Sequence, residues 1–198
     1  MGRLVLVEFL SVDGVVQGLG SPDEDRRGGF EHGGWGAPYA EDVHATIGLD
    51  GISATAAYLF GRRTYEKMAE FWPHQPSSDP IAAHMAAVPK FVASRTLRDE
   101  DLDWPGSSVL RGDLEDAVRS VTGDAAGDVA VLGSGDLARQ LLGHDLVDEL
   151  RLIVHPLLLG TGTRLFGDLP APRDLQLVRH DVSPGGSLVL SYVLGRTG

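Results

Sequence analysis

The sequence predicts an α/β fold built on a mostly parallel sheet, with antiparallel strands added toward its C-terminal end. Three observations lead there. Short apolar runs alternate with helix-like segments over roughly the first 145 residues, the pattern of repeated βαβ units. The remaining residues hold strand candidates with no helix between them, which suits antiparallel strands at the margin of a sheet. No repeat, low-complexity tract or linker divides the 198 residues, so one domain spanning 1–198 is expected.

The elements follow in order. Residues 3–10, RLVLVEFL, are a near-continuous apolar run closed by the turn signal SVDG, as in a buried strand. Residues 13–38 hold eight glycines with Pro22 and Pro38, and form a long loop. Loops beyond about 12–15 residues in a compact domain are usually functional or disordered. Phe30, Trp35 and Tyr39 give this one anchors, so a folded lid is expected. Residues 40–54 have helical composition, interrupted near Gly48 and Gly51. Strands are expected at 57–61, 90–94, 108–112 and 128–133, and helices at 62–72, 80–87, 114–121 and 137–142. Asp113 caps the third of these helices, which places a carboxylate on its free amides. Extended segments follow at 149–155 and 157–159, and two more strands at 175–182 and 187–194, joined across Pro-Gly-Gly.

Composition removes several chemistries. Apolar residues are 42% and charged residues 23%, ordinary for a chain that folds. There is no Cys, which excludes disulfides, a thiol nucleophile, iron–sulfur clusters, Cys zinc sites and the Cys-ligated nucleobase deaminases. No apolar run approaches the roughly 20 residues that span a bilayer. The opening MGRLVLVEFLSVDG reads as a strand rather than a signal peptide, so a cytoplasmic location is expected. Lys plus Arg is 17 against 28 Asp plus Glu, a net charge of −11. Neither a general nucleic-acid surface nor an acidic membrane surface fits that balance, although a local arginine cluster can still bind one anion.

Three segments supply such a cluster. In VLGSGDLA, 131–138, a strand runs into a helix through Gly133, Ser134, Gly135 and Asp136. Glycines there let the backbone approach a phosphate at the helix N-terminus, or simply allow a tight turn. The spacing matches the dinucleotide fingerprint in its Ala variant. However, the expected acidic residue about 20 positions on is missing, so an anion-binding turn is favoured over a Rossmann unit. In LFGRRTYEKM, 59–68, Gly61 precedes a helix opening with Arg62, Arg63 and Thr64. Cations are unfavourable at the positive end of a helix, a cost that a bound polyanion reverses. In FVASRTL, 91–97, a strand ends in Ser94, Arg95 and Thr96. Ligands of parallel α/β sheets bind at the carboxyl ends of the strands, where these segments would form one anionic groove. A dinucleotide carrying a 2′-phosphate suits it.

The segments SVDG, LFGRRTY, VASRTL, VLGSG and VDELRLIVHPLLLGTGTRLF, in this order, resemble the dihydrofolate reductase-like superfamily. They come nearest its branch similar to the reductase domain of bacterial riboflavin biosynthesis, the RibD C-terminal domain. The resemblance spans about 3–194. It implies a single-domain dihydrofolate reductase-like fold, with a mostly parallel central sheet flanked by helices and C-terminal antiparallel strands. It further implies an NADPH-dependent reductase and a homodimer. Carried over by position, Gly61, Arg62, Arg63 and Thr64 match the cofactor-phosphate motif. Ser94, Arg95 and Thr96 match the segment near the adenosine 2′-phosphate. Gly133, Ser134, Gly135 and Asp136 match the glycine turn under the pyrophosphate, with Gly-Ser where dihydrofolate reductases have paired glycines. Ser11–Gly14 match the end of the first strand, close to nicotinamide and substrate.

Asp13 is the catalytic candidate, either a polar group near hydride transfer or a turn cap. Trp35 either stacks on a flat substrate or pins its loop. The folate-binding carboxylate has no clear counterpart; Glu41, Asp42 and Asp50 are candidates, with Glu41 the one carried forward. Glu31 and His32 could hold a substrate or supply a proton. Glu41-x-x-His44 has metal-ligand spacing but lacks the second such motif, so no metal is expected. His155 reads as structural.

The reaction expected is hydride transfer to a C=N or C=O bond of a small planar heterocycle, pterin-like or aminopyrimidine-like. Two alternatives stand beside it. One is a nucleotide-binding or interaction protein without turnover. The other is a stand-alone riboflavin-pathway reductase of 5-amino-6-(5-phosphoribosylamino)uracil, with Arg26 and Arg27 available for the substrate phosphate. The apolar VDELRLIVHPLLLG segment is the expected location of a dimer contact.

Overall fold

The computed structural model describes residues 2–42, 50–167, 169 and 171–195. Its contacts divide the chain into two compact units, Met1–Leu6 with Leu49–Asp148, and Val7–Gly48 with Glu149–Gly198.

The first unit holds a parallel sheet. Its strands are the start of β1 (Leu4–Ser11), then β2 (Thr55–Gly61), β3 (Lys90–Ala93), β4 (Ser107–Val109) and β5 (Asp128–Val131). Their spatial order is β4-β3-β2-β5-β1. All pairings are parallel, as short strands separated by helices require. Helix α1 (Asp50–Ser53) precedes β2, and α2 (Arg62–Phe71) follows it directly. Helix α3 (Pro80–Ala87) also lies between β2 and β3, α4 (Leu114–Asp124) connects β4 to β5, and α5 (Gly135–Gly143) follows β5. In β2, TAAYLFG, six of seven positions are buried, which is why its sequence reads as a continuous apolar run rather than an alternating one.

The core of this unit packs Tyr58, Phe60, Tyr65, Met85, Val92, Trp104 and Ala130. Phe60 stacks on Trp104 with centroids 6.1 Å apart, and the Trp104 amide donates to the Tyr65 hydroxyl at 3.1 Å. Lys90 is wholly buried there. Its ammonium lies 4.9 Å from the Trp104 ring centre and donates to the Met85 and Val88 carbonyls at 2.7 and 2.8 Å. A cation thereby satisfies carbonyls that the end of α3 leaves open. Burial pushes its pKa down.

The second unit holds the rest of β1 and the antiparallel strands β6 (Glu149–His155), β7 (Leu175–Val182) and β8 (Leu188–Leu194), with β8 in the middle. The 13–38 loop is folded. It carries 3-10 turns at Arg27–Gly29 and Ala37–Tyr39 and a small core of Val15, Phe30 and Trp35. Gly162, at φ +104°, touches this core. A Cβ there would come within 2.7 Å of Phe30 and 2.8 Å of Val15. Gln17, 5% exposed, ties the loop together. Its oxygen accepts from the Thr163 amide and hydroxyl, and its nitrogen donates to the Asp25 and Arg27 carbonyls.

The fold class expected from the sequence is the one observed, with differences at several ends. The strand expected at 108–112 stops at Val109, where the Asp99 carboxylate accepts its amide. The helix expected at 137–142 starts earlier, at Gly135. Leu157–Leu159 is not a strand, because the Leu157 amide turns back to the His155 carbonyl at 2.8 Å. Of the helix expected over 40–54, residues 40–42 and α1 are helical, and 43–49 lie outside the described residues. No described helix is long and apolar enough to cross a membrane.

Candidate functional site

Three adjacent strands of the first unit end together. Gly61 is in register with Ala93 across β2 and β3. On the other side the Leu132 amide donates to the Leu59 carbonyl at 3.2 Å, and the Gly61 amide donates to the Gly133 carbonyl at 3.0 Å. The segments read separately as Gly-Arg-Arg-Thr, Ser-Arg-Thr and Gly-Ser-Gly-Asp therefore lie side by side, at the carboxyl edge of β3, β2 and β5.

Gly61 is needed for this closeness. Its φ of −73° suits any residue, so the constraint is space alone. A Cβ there would lie 2.6 Å from the Ser134 hydroxyl oxygen and 3.1 Å from its amide nitrogen. The Gly133–Ser134 peptide is cis.

Helices α2 and α5 both start at this edge, and neither has a side-chain cap. The contrast with the rest of the unit is informative. Asp79 caps α3 by accepting from Ile81 and Ala82, and Asp113 caps α4 by accepting from Glu115 and Asp116. Helices α3 and α4 have carboxylates on their first amides, while the two at the edge have no side-chain cap and keep their amides open to an anion.

The cations are arranged in the same way. Arg62 lies 3.7 Å from Glu66, a weak contact one turn along. Arg63 and Arg95 are exposed and have no ion-pair partner among the described residues. Elsewhere arginines are held by carboxylates: Arg3 by Asp128, Arg111 by Asp99, Arg119 by Glu115. Ser94 turns the chain after β3 by accepting from the Thr96 and Leu97 amides at 3.2 and 3.1 Å, and Arg95 sits at the tip of that turn. Thr64 is half-buried in the first turn of α2. Asp136 pairs with Arg139, so its expected part in anion binding falls to the backbone of the turn rather than to its carboxylate.

The candidates in the second unit are placed differently. The Asp13 carboxylate accepts from the Ser11 hydroxyl at 2.7 Å and from the Leu159 and Gly160 amides at 3.1 and 2.9 Å. The Ser11 hydroxyl, and next the Leu159 amide, hold its pKa down at about 2. Asp13 is therefore anionic at neutral pH, with its carboxylate bonded within the turn. It fastens the end of β1 to the 157–160 segment. By sign, a depressed carboxyl stabilises the fold above the unfolded value of 3.8 and loses that contribution as pH falls toward 2. We expect Asp13→Asn to cost about 1 kcal/mol at pH 7 in urea unfolding, after allowance for solvent screening. NADPH affinity should be unchanged.

Trp35 is 8% exposed, donates Nε1–H to the Gln17 carbonyl at 2.8 Å, and meets His155 edge-on at 5.6 Å. Its faces and its donor are committed to packing, so it pins the loop and is not free to stack on substrate. Glu41 is exposed on the helical residues 40–42. Asp42 is half-buried, with its carboxylate against Gly185. The side chains of His44 and Asp50 lie outside the described residues, and Glu31 and His32 are exposed. Arg26 pairs with Asp23, and Arg27 with Asp25, both at 2.5 Å. Among the described residues no group of three or more His, Cys, Asp or Glu could hold a metal.

Sequence reasoning missed the surroundings of His155. The ring is 1% exposed, stacked against Tyr39 at 4.7 Å and Phe9 at 6.2 Å, with Nδ1 2.9 Å from the Ser187 hydroxyl. Burial lowers its pKa to about 4. Nothing local in the sequence signals this, because the partners come from three separate segments.

The chain is 24% identical over 146 residues to YyaP, an uncharacterized protein of Bacillus subtilis strain 168, covering 72% of this chain and 76% of that one. Two solved structures share the fold. One is a protein from Shewanella sp. PV-4 named for riboflavin biosynthesis, with TM-score 0.70, 19% identity, and coverage of 99% of this chain and 100% of that one. The other is a pyrimidine reductase-like protein from Corynebacterium diphtheriae, with TM-score 0.59, 14% identity, and coverage of 99% and 93%. A family model described as the RibD C-terminal domain matches residues 3–189, nearly the whole chain. The protein belongs to the RibD C-terminal domain family and has the dihydrofolate reductase-like fold.

Proposed function

We propose that this protein is an NADPH-dependent reductase of a small planar heterocycle, pterin-like or aminopyrimidine-like. One observation carries the reading. Three strand ends meet where two helices leave their amides uncapped and two arginines have no acidic partner among the described residues. In a chain of net charge −11, such an edge is fitted to a polyanion. The names of the structural relatives, one pyrimidine reductase-like and one for riboflavin biosynthesis, support a reductase.

The residues divide by role. The open amides at the starts of α2 and α5 hold the pyrophosphate, with Gly61, Gly133, Ser134 and Gly135 allowing close approach. Arg63 and Arg95 hold the 2′-phosphate, aided by Arg62, Thr64, Ser94 and Thr96. When bound, the nicotinamide supplies the hydride that reduces a C=N or C=O bond. Asp13 sets the position of the β1 end, and Glu41 offers a carboxylate to the substrate ring. A substrate without a phosphate is favoured over the ribosyl-phosphate aminouracil, because Arg26 and Arg27 are already matched by Asp23 and Asp25.

The test is cofactor discrimination. A charge-assisted hydrogen bond contributes about 1.5–3 kcal/mol, so Arg63→Ala and Arg95→Ala should each weaken NADPH about 10- to 100-fold. NADH, which lacks the phosphate, should change by less than about 3-fold. Equal weakening of both nucleotides contradicts the assignment.

A further inference from the structure

His155 is a buried titratable group that the proposed chemistry leaves unused. It lies in the second unit, and so do the residues that enclose it. Two of its walls are sheet. Phe9 of β1 stacks on the ring, and the Ser187 hydroxyl, at the foot of β8, meets Nδ1. These walls are fixed, because β6 is laddered to β8 from Glu149 to Val154. The other two walls are Trp35, edge-on, and Tyr39, stacked at 4.7 Å. They stand on residues 35–42, which hold a 3-10 turn and a short helical stretch but no strand. The ties of this segment to the rest of the unit include the Trp35 indole N–H on the Gln17 carbonyl and the Gly36 amide on the Leu19 carbonyl.

The second ring nitrogen decides how the enclosure responds to a proton. Nε2 is buried and has no hydrogen-bond partner among the described residues. A neutral imidazole bears this at the cost of one unmade bond. In the protonated ring both nitrogens are donors, so Nε2–H adds a charge with nothing to receive it. The stacked faces of Tyr39 and Phe9 attract a cation but do not replace the water it gives up.

The charged groups nearby are otherwise engaged. On β1, Glu8 is next to Phe9 and so lies on the other side of the sheet. On β6, Glu149 and Arg151 share the side of His155 but pair with each other at 2.7 Å. On the loop, Glu41 is exposed, the Asp42 carboxylate lies against Gly185, and the Tyr39 phenol is part of the wall itself. The turn from Ser183 to Ser187 carries no charge.

We propose that His155 is a pH-sensitive clasp for residues 35–42: the neutral ring holds Tyr39 and Trp35 against it, and the protonated ring releases them. The loop walls withdraw because the sheet walls cannot do so without breaking their ladder. In the released form the ring is hydrated and returns toward its ordinary pKa of 6.5, from about 4 when enclosed. Acid therefore favours release, and the released population rises about 20-fold between pH 7 and 5. Global unfolding frees the ring in the same way. What distinguishes the clasp is that 35–42 open more readily than the strands. Glu41 travels with this segment, so an effect on substrate binding rests on the proposed function, whereas the release itself does not.

Hydrogen exchange of the whole chain without nucleotide, followed by NMR at pH 7, 6 and 5 and corrected for the intrinsic rate at each pH, tests the proposal. The Gly36 amide and the Trp35 indole N–H report release, and the β6 amides report global unfolding. The two loop probes should be less protected than β6 at every pH, and their protection should fall about 20-fold from pH 7 to 5. In His155→Phe, which keeps a ring but cannot be protonated, the fall should shrink below about 2-fold. Tyr39→Ala leaves both sheet walls in place and serves if the phenylalanine variant does not fold. It should lower Gly36 protection at pH 7 and shrink the fall toward pH 5, because its His155 is already hydrated. Protection at Gly36 and Trp35 that is independent of pH overturns the proposal. So does a fall that survives His155→Phe or is undiminished in Tyr39→Ala, or loop protection equal to that of β6 at each pH, which is global unfolding alone.

Discussion

Gly61→Ala should destabilise the protein by about 2 kcal/mol and weaken NADPH binding at least about 10-fold, although it adds only one methyl group. The backbone conformation at Gly61 accepts alanine, so the whole effect comes from crowding. The new Cβ would meet the Ser134 hydroxyl at 2.6 Å, its amide nitrogen at 3.1 Å and its Cβ at 3.3 Å. All three atoms belong to Ser134 in the turn that opens α5, and the Gly61 amide is bonded to the Gly133 carbonyl of the same turn. Relief requires β2 and the turn to separate, which spreads the two helix N-termini proposed to take the pyrophosphate. Gly112→Ala is the control. Gly112 has φ +81° and nothing within 4 Å of a built Cβ, so alanine there costs about 1 kcal/mol of backbone strain and leaves binding unchanged. Urea unfolding and nucleotide titration of both variants separate crowding at the site from loss of stability alone.

Stability should fall by about 3 kcal/mol as pH drops from 6.5 to 4, with His155 as the cause. Its ring is enclosed by Tyr39, Phe9 and Trp35, and burial lowers its pKa from 6.5 to about 4. The folded chain therefore favours the neutral ring, while the unfolded chain protonates near 6.5. The contribution is complete above pH 6.5 and is lost progressively down to about 4. The carboxyls of Asp13, Asp25, Asp99 and Asp101 have their pKa values lowered, so their contributions hold above 3.8 and fade below it, outside this window. His155→Phe keeps a ring in the stack and leaves the Ser187 hydroxyl without its nitrogen, at about 1 kcal/mol. Its urea stability should be nearly flat between pH 6.5 and 4.5. A wild-type curve as flat as the variant's would assign acid sensitivity elsewhere.

The fold was legible because its signals are local. Buried parallel strands leave continuous apolar runs such as LVLVEFL and AYLF, and Asp79 and Asp113 stand as caps just before their helices. The candidate site was legible as three separate motifs, since glycine, arginine and serine after a strand have few uses other than turning a chain or holding an anion. Which arginines stand free was not legible. Arg62, Arg63 and Arg95 look alike in sequence, and only the structure shows Glu66 reaching back to Arg62. Asp13 and Trp35 each left two readings open for one reason. A polar or flat side chain in a glycine-rich loop suits a ligand as well as it suits packing. The deciding partners, Leu159 and Gly160 for Asp13 and His155 for Trp35, lie more than 100 residues away.

The most direct measurement is a parallel titration of the purified protein with NADPH and NADH, followed by tryptophan fluorescence and melting temperature. Binding of NADPH at least about 10-fold tighter than NADH, with a rise in melting temperature at saturation, is the expected result. Equal binding of the two would remove the 2′-phosphate role from Arg63 and Arg95. No binding of either would contradict the assignment of the β2, β3 and β5 edge as a nucleotide site.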